Sequence, residues 1–375
     1  MNAALTGIRV LDFSRVLAGP FATMHLADLG ADVVKVERPG TGDDTRSFGP
    51  PFSKGVSTYF MAINRGKRSI CLDLKSESDR AVALKLAAQA DVVIENFRPG
   101  VMERLGLGPE ALRAVKPSLI YCSISGFGRG VERAGYDLVI QGMGGIPSIT
   151  GDPEGGPAKC GASIADLVTG LYATQGILAA LQRRSRTGEG AVVDVPMLDG
   201  QVALLTYHAS GLLNAGVAPR RLGNHHPSIH PYGTYEAADG HMTIAVGNDA
   251  LFGKFSMALG HPEWAVDPRF ATNAVRVENR EDLERLIQAI LVTHTVDHWC
   301  ELLLQAGVPA GPINTVGQAL DMVDLVEHPH PAGAGTVKSA PLPYRIDDTP
   351  RAAALPPPEL GAHSDAVIAD WLSGE

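Results

Sequence analysis

The chain has 375 residues, 45% of them apolar, 19% charged and only 6% aromatic, which is enough for two domains or one large domain with a smaller one inserted. A net charge of −9 argues against general nucleic-acid binding, and no run approaches eighteen consecutive apolar residues, so neither a nucleic-acid nor a membrane partner is expected. The four cysteines (Cys71, Cys122, Cys160 and Cys300) lack CxxC spacing, and the opening MNAALTGIRVLDF lacks a basic segment ahead of an apolar one, so a cytoplasmic protein with reduced thiols and no signal peptide is expected.

The N-terminal third alternates strand and helix signals. Strands are predicted at Ile8–Phe13, Ala31–Glu37, Ser69–Leu72, Asp91–Ile94 and Ser118–Ile124, with helices at Pro20–Leu29 and Glu77–Ala90. Short apolar strands alternating with helices imply a parallel sheet covered on both faces. Within Cys160–Leu181, Ser163 followed by Asp166 ahead of an apolar run reads as a helix start, with Ser163 the N-cap and Asp166 at N3. Leu167, Leu171, Leu178 and Leu181 recur on one face, while Gly170 and Gly176 would let a neighbour approach closely. A strand at Ala191–Val195 and a helix through Leu213 follow. From Gly216 to His330 the character changes: a Pro- and His-containing loop precedes a hairpin about Asp239-Gly240, then helices at Asp249–Leu259, Arg280–Thr293 and Val296–Ala306. The tail is rich in proline and ends in a helix, Ser364–Leu372. The fold class expected is α/β: a Rossmann-like parallel-sheet domain over 1–215, a smaller α+β domain over 216–330, and a segment 331–375 that returns to the first.

Asp166 has two readings. An acid in the first turn of a helix satisfies orphan N–H groups without any catalysis. The positive end of the helix dipole also favours the ionised form, and a carboxylate held charged there can act as a nucleophile toward an activated acyl group. The opening strand–helix–strand ending at Glu37 invites a dinucleotide-binding reading, but SRVLAGPF has one glycine, Gly19, where that fingerprint needs three, so an NAD-dependent dehydrogenase is not favoured. Basic residues stand at predicted strand ends and loop starts: Arg38, Lys75, Arg98 and Arg104. Each alone is an ordinary solvated side chain; together they could clamp a multiply phosphorylated ligand. His225, His226 and His230 suggest a metal, yet Pro227 and Pro231 preclude a helical i,i+4 pair and no nearby acid completes a set, so a polar loop and no metal are expected.

Taken together, VLDFSRVLAGPFATMHLADLGADVVKVERPG, NRGKRSICLDLKS, DVVIENFRPGVMERLGL, the GYD of residues 135–137 and GASIADLVTG resemble the class III CoA-transferases, the CaiB/BaiF-like family that includes formyl-CoA transferase and carnitine CoA-transferase. Weaker matches in RLGNHHPSIHPYG, AVGND and PPPELG carry the resemblance over essentially the whole chain. It implies an enzyme that moves CoA from an acyl-CoA donor to a free carboxylic acid, through an aspartyl anhydride and an aspartyl-CoA thioester on Asp166. No permanently bound cofactor is implied; coenzyme A and acyl-CoA are substrates. Val16, Ala18, Arg38, Leu72, Lys75, Asn96, Phe97, Arg104 and Tyr136 fall where members of the family contact CoA. Arg38 and Lys75 would meet the nucleotide phosphates, and Asn96, Phe97 and Tyr136 would line the pantetheine path. The family fold is an interlocked homodimer. Only one glycine, Gly247, remains in the AVGND segment that matches a glycine-rich loop over the active site of formyl-CoA transferase, which does not favour a comparable mobile lid. Leu17 and Phe48 replace that enzyme's contacts to small acids, which argues against formyl or oxalyl specificity. The histidine loop is similar to that of members acting on succinyl-CoA and dicarboxylic acids; Arg15, Arg46 or the loop itself could hold a distal carboxylate. Acyl-CoA racemases of similar fold carry a histidine where this chain has Tyr136, and tyrosine, with an ordinary pKa of about 10, is a poor base at neutral pH. Transferase is therefore expected over racemase, and the presence of Asp166 disfavours a non-catalytic CoA-binding protein.

Overall fold

The computed structural model describes residues 3–373. Contacts divide the chain into two compact units, one of residues 1–146, 159–216 and 323–375, the other of 147–158 and 217–322. The second unit thus includes a stretch ahead of residue 216, and residues 323–330 belong to the first. The reason is local: Arg221 donates to the carbonyls of Asp152 (3.1 Å) and Gly155 (2.8 Å), and the Gly223 N–H donates to the Gly151 carbonyl at 3.0 Å, so the earlier segment is tied to the later one.

In the first unit, six strands form a wholly parallel sheet: β1 (Arg9–Asp12), β2 (Asp32–Glu37), β3 (Lys67–Cys71), β4 (Val92–Glu95), β5 (Ile120–Ser125) and β6 (Ala191–Pro196), in the spatial order β3-β2-β1-β4-β5-β6. Successive side chains on a strand point to opposite faces. Val10, Val33, Val92 and Ile120 accordingly face one core with Leu26, Ala173 and Ile177, while Leu11, Val34, Val93 and Tyr121 face another with Leu86 and Trp371. Both faces being buried, the strands read as continuous apolar runs.

The first core is closed by α1 (Ala18–Asp28) and the long helix α4 (Ile164–Thr187). The buried face of α4 is not the leucine stripe. It is made of Ala165, Val168, Thr169, Gly170, Ala173, Thr174, Ile177 and Ala180, and Leu171 is 48% exposed. Small side chains win because α1 and β6 run so near: a Cβ on Gly170 would lie 2.7 Å from the Ala18 carbonyl oxygen, and one on Gly176 would lie 2.7 Å from Val193 of β6. Helix α4 is long and apolar enough to cross a membrane by length and composition, but that face lies against α1. Among the helices between α1 and α4 are α2 (Glu77–Gln89) and α3 (Asp137–Met143). The single helix predicted after β6 is two, α5 (Met197–Ala203) and α6 (Thr206–Ala215), broken where Thr206 takes a positive φ of 33°.

In the second unit, β7 (Tyr232–Ala237) and β8 (Gly240–Ala245) form the antiparallel hairpin about Asp239-Gly240, with β9 (Ala310–Pro312) against β8. Helices α7 (Asp249–Ala258), α8 (Arg280–Leu291) and α9 (Val296–Gln305) cover it through Phe252, Phe255, Leu283, Ile287 and Trp299.

The tail closes the open edge of the first unit's sheet. Beside β3, the Ser69 carbonyl accepts the His363 N–H at 3.0 Å and the Ser69 N–H donates to His363 Nδ1 at 3.2 Å. The last helix, α10 (Ser364–Leu372), buries Val367 and Trp371 in the second core, and the Trp371 indole N–H donates to Asp32 at 2.8 Å.

Candidate active site

The sheet order reverses between β1 and β4. In open parallel sheets the loops leaving two such strands diverge, and ligands bind in the crevice beyond their carboxyl ends. Here those loops are Phe13–Leu17 and Asn96–Pro99, and between them lies a cavity of about 180 Å3. Arg15, Val16, Ala18, Asn96, Phe97, Arg98, Tyr136 and Asp166 all line it, so the chain converges at the switch point from four separate sequence regions.

The wall of the crevice is fixed from beneath. Asn96 accepts the Arg15 N–H at 2.8 Å and donates its amide to the Arg15 carbonyl at 2.6 Å, tying the two diverging loops together. Its polar groups are thus engaged by backbone rather than free for a ligand. Val16 adopts a φ of 67°, a left-handed conformation that a β-branched residue rarely takes, and its N–H donates to Asp43 at 3.3 Å. Asp43 in turn pairs with Lys35 at 2.8 Å, both side chains being fully buried. Burial by itself would raise the Asp43 carboxyl, but the ammonium of Lys35 overrides it and holds it at about 2.

Asp166 stands in the first turn of α4 and Ser163 at its N-cap, as expected, but the bond and the charge expected of them are not found. The Ser163 side chain makes no cap bond. The cap bond comes from another helix: Asp137, in the first turn of α3, accepts the Ala165 N–H at 3.0 Å, and its other oxygen accepts the Gln141 amide at 2.8 Å. Gln141 also accepts the Cys160 N–H at 2.8 Å, so the approach to α4 is held from α3. The charge state is likewise opposite to the dipole argument. Burial, reinforced by the like charge of Asp137, pushes the Asp166 carboxyl up to about 7. Desolvation outweighs a helix dipole, which is worth about 0.3–1 kcal/mol at a helix end. Tyr59, on the short helix Thr58–Ile63, was not anticipated. Burial and the charges of Asp166, Asp137 and Asp43 raise it to about 12, so its hydroxyl stays protonated. Nothing in the STYF segment announces this, since three of the charges that act on it come from distant segments.

A second cavity, of about 260 Å3, adjoins the first, with Arg15 and Phe97 lining both. The Arg15 guanidinium lies over the Phe97 ring, 4.9 Å from its centroid. Arg38, Leu72 and Lys75 line this second cavity at the ends of β2 and β3. Asp44 sits 3.6 Å from Arg15 and 3.8 Å from Arg38. Arg104 lines neither cavity; it is exposed on the helix Val101–Arg104 beside Gly100. Tyr136, 69% exposed, is at the rim. Arg46 is engaged by Glu37 at 2.8 and 2.7 Å, which removes both Arg46 as a carboxylate holder and Glu37 as a ribose acceptor.

In the second unit, Asn248 caps α7 through the Leu251 N–H at 2.9 Å, and Asp249 pairs with Arg276 at 2.7 Å, anchoring the segment after Gly247. The histidine loop is not lacking an acid. Glu284, on α8, lies 3.7 Å from His225 and 3.8 Å from His230. It was invisible because it stands more than fifty residues further along the chain.

The family model for CoA-transferase family III matches residues 5–364. A succinate–glutarate CoA-transferase from Agrobacterium fabrum is 43% identical, over 98% of this chain and 95% of its own length. A succinyl-CoA:glutarate CoA-transferase from Mus musculus is 40% identical, over 98% of this chain and 86% of its own length. Among solved structures, a CaiB/BaiF family protein from Brucella suis superposes with a TM-score of 0.86 at 44% identity, over 99% of this chain and 100% of that one.

Proposed function

Because the chain belongs to CoA-transferase family III, and is an enzyme of that class, we propose that it moves CoA between succinyl-CoA and a second dicarboxylic acid through the carboxylate of Asp166. The observation that carries this reading is the placement of Asp166 in the switch-point crevice, beside a second cavity lined by Arg38 and Lys75. The nucleotide phosphates meet Arg38 and Lys75, the pantetheine passes Phe97, and the thioester reaches Asp166. Arg15, which borders both cavities, takes the distal carboxylate of the acid.

An Asp166 oxygen attacks the thioester carbonyl; the C–S bond breaks, leaving an aspartyl–acyl anhydride and CoA thiolate. The thiolate attacks the aspartyl carbonyl, releases the donor acid and forms the aspartyl-CoA thioester. The acceptor carboxylate attacks that thioester and expels the thiolate, which then attacks the acceptor's acyl carbon and frees Asp166. The raised basicity of Asp166 makes its oxygen a stronger nucleophile, and the backbone N–H groups near the start of α4 stabilise the oxyanions. Exclusion of water protects both anhydrides from hydrolysis. The working unit in this reading is an interlocked homodimer in the cytoplasm, with no resident cofactor; a stable, active monomer by light scattering contradicts it.

Hydroxylamine added during turnover with succinyl-CoA and glutarate tests the mechanism. Trapping of Asp166 as a hydroxamate, with inactivation, is the expected result, accompanied by movement of labelled glutarate into the thioester pool. A racemase would leave Asp166 unmodified and would exchange the α-hydrogen of a 2-methylacyl-CoA with solvent; that pattern overturns the transferase mechanism.

A further inference from the structure

We propose that His225, His230 and Glu284 form a divalent transition-metal site that ties the histidine loop to helix α8 in the second unit. Among the described residues these three form the one group whose ligating atoms all lie within 4.8 Å of one another. His230 is wholly buried, and its Nε2 has no hydrogen-bond partner among the described residues; the Glu284 Oε2 that it faces makes no full hydrogen bond either, the Tyr235 hydroxyl being the neighbour that acts on this carboxylate. Two buried polar atoms pointed at one another without a bond are costly unless something joins them. Their 3.8 Å separation, and the 3.7 Å from His225 Nε2 to Glu284 Oε1, are too long for a hydrogen bond. Metal–ligand bonds of about 2.0–2.1 Å at tetrahedral angles place neighbouring ligand atoms about 3.3–3.4 Å apart, so the three side chains, whose ligating atoms lie within 4.8 Å of one another, must draw in around the ion.

The donor chemistry narrows the ion. Two imidazoles and one carboxylate suit Zn2+ and its first-row neighbours rather than Ca2+ or Mg2+. His225 and Glu284 also line a cavity of about 620 Å3, which gives an ion a route in and leaves a coordination position facing it. Arg280 is the opposing charge. Its Nη2 donates to the His226 carbonyl at 2.8 Å, while its Nη1 lies 3.5 Å from His230 Nδ1, at the limit of a hydrogen bond. On metal binding at Nε2 the proton of His230 resides on Nδ1, so that weak contact is given up.

The test uses the full chain, stripped with chelator and titrated with Co2+ and then Zn2+. One equivalent of Co2+ per chain is expected, with visible d–d absorption that Zn2+ abolishes. His225→Ala and Glu284→Gln should each weaken binding at least ~10-fold. His261→Ala should leave it unchanged; that exposed histidine pairs with Glu263 at 2.8 Å in the same unit and serves as the control for adventitious surface binding. Absence of uptake at submillimolar metal overturns the proposal and leaves a hydrated His–Glu cluster. Uptake that survives both variants, or that His261→Ala removes, overturns it equally. Circular dichroism accompanies each variant, and if either proves unfolded the conservative His225→Gln and Glu284→Asp variants take its place in the same titration, with the same loss expected and unchanged uptake overturning the proposal.

Discussion

Replacing Asp166 by Asn should abolish transfer and, at the same time, stabilise the protein in a pH-dependent way. The folded pKa of about 7 lies above the ordinary 3.8, so the folded state holds this proton more tightly than the unfolded chain does. Stability therefore falls as pH rises from about 4 to 7, and the full cost is present above 7. Two-state titration with those values puts the cost at about 2 kcal/mol at pH 5 and about 4 kcal/mol at pH 8. Asparagine does not titrate, so the gap between variant and wild type should widen by about 2–3 kcal/mol between those pH values, in favour of the variant. Urea midpoints for both proteins at pH 5 and pH 8, at one protein concentration, supply the measurement. A pure capping role would instead make the variant less stable by about 1 kcal/mol at either pH. A pH-independent gap, or a variant that keeps a tenth of the wild-type rate, refutes the reasoning.

Asp137→Asn keeps an acceptor for the Ala165 N–H but removes the like charge, so the acid limb of kcat/KM should move to lower pH; an unmoved limb would assign the shift of Asp166 to burial alone. Arg38→Ala or Lys75→Ala should raise the KM for acyl-CoA and reduce its salt sensitivity while the acceptor's KM changes little, and equal weakening of both substrates would count against a phosphate role. Lys35→Met strands the buried Asp43 carboxylate, and calorimetry or urea unfolding should show a loss of about 3–5 kcal/mol; a loss under ~1 kcal/mol would mean that Asp43 finds another partner.

The central strands were legible because they are buried on both faces and announce themselves as apolar runs, as VVKVE and VVIE do, whereas KRSIC at one edge and the half-buried AVVDVP at the other carry a weaker signal. Strand ends shift only by a residue or two. What sequence could not display is which distant groups meet. Ser163 is the N-cap of α4, as local spacing indicated, but the hydrogen bond at that end goes to Asp137, which reaches the helix across a fold of the chain. The charge state of Asp166 was misjudged for the same reason, since desolvation and a second carboxylate are properties of the crevice. The stripe of Leu167, Leu171, Leu178 and Leu181 was read from hydrophobicity without regard to space; the face that packs against α1 is glycine and alanine, nearer than any leucine could come. Val16, Ala18, Asn96, Phe97 and Tyr136 do meet around Asp166, and Arg38, Leu72 and Lys75 meet next door, whereas Arg104 stays outside both cavities.

The way the tail closes the sheet also governs the order in which a ribosome can complete this protein. All six parallel strands have been synthesised once residue 196 is out, yet the outer side of β3 gains its partners only from residues near 363, and the apolar patch at Leu86 waits for Val367 and Trp371. In the interval, the whole of 217–322 is translated and has its own core to fold around. The nascent chain thus carries an unpaired parallel edge for well over a hundred residues of synthesis, the kind of edge that recruits other strands. A late nonsense mutation that removes only the last helix would for that reason strike the oldest part of the nascent protein, and its signature would be aggregation during translation rather than a weakened site in a finished enzyme.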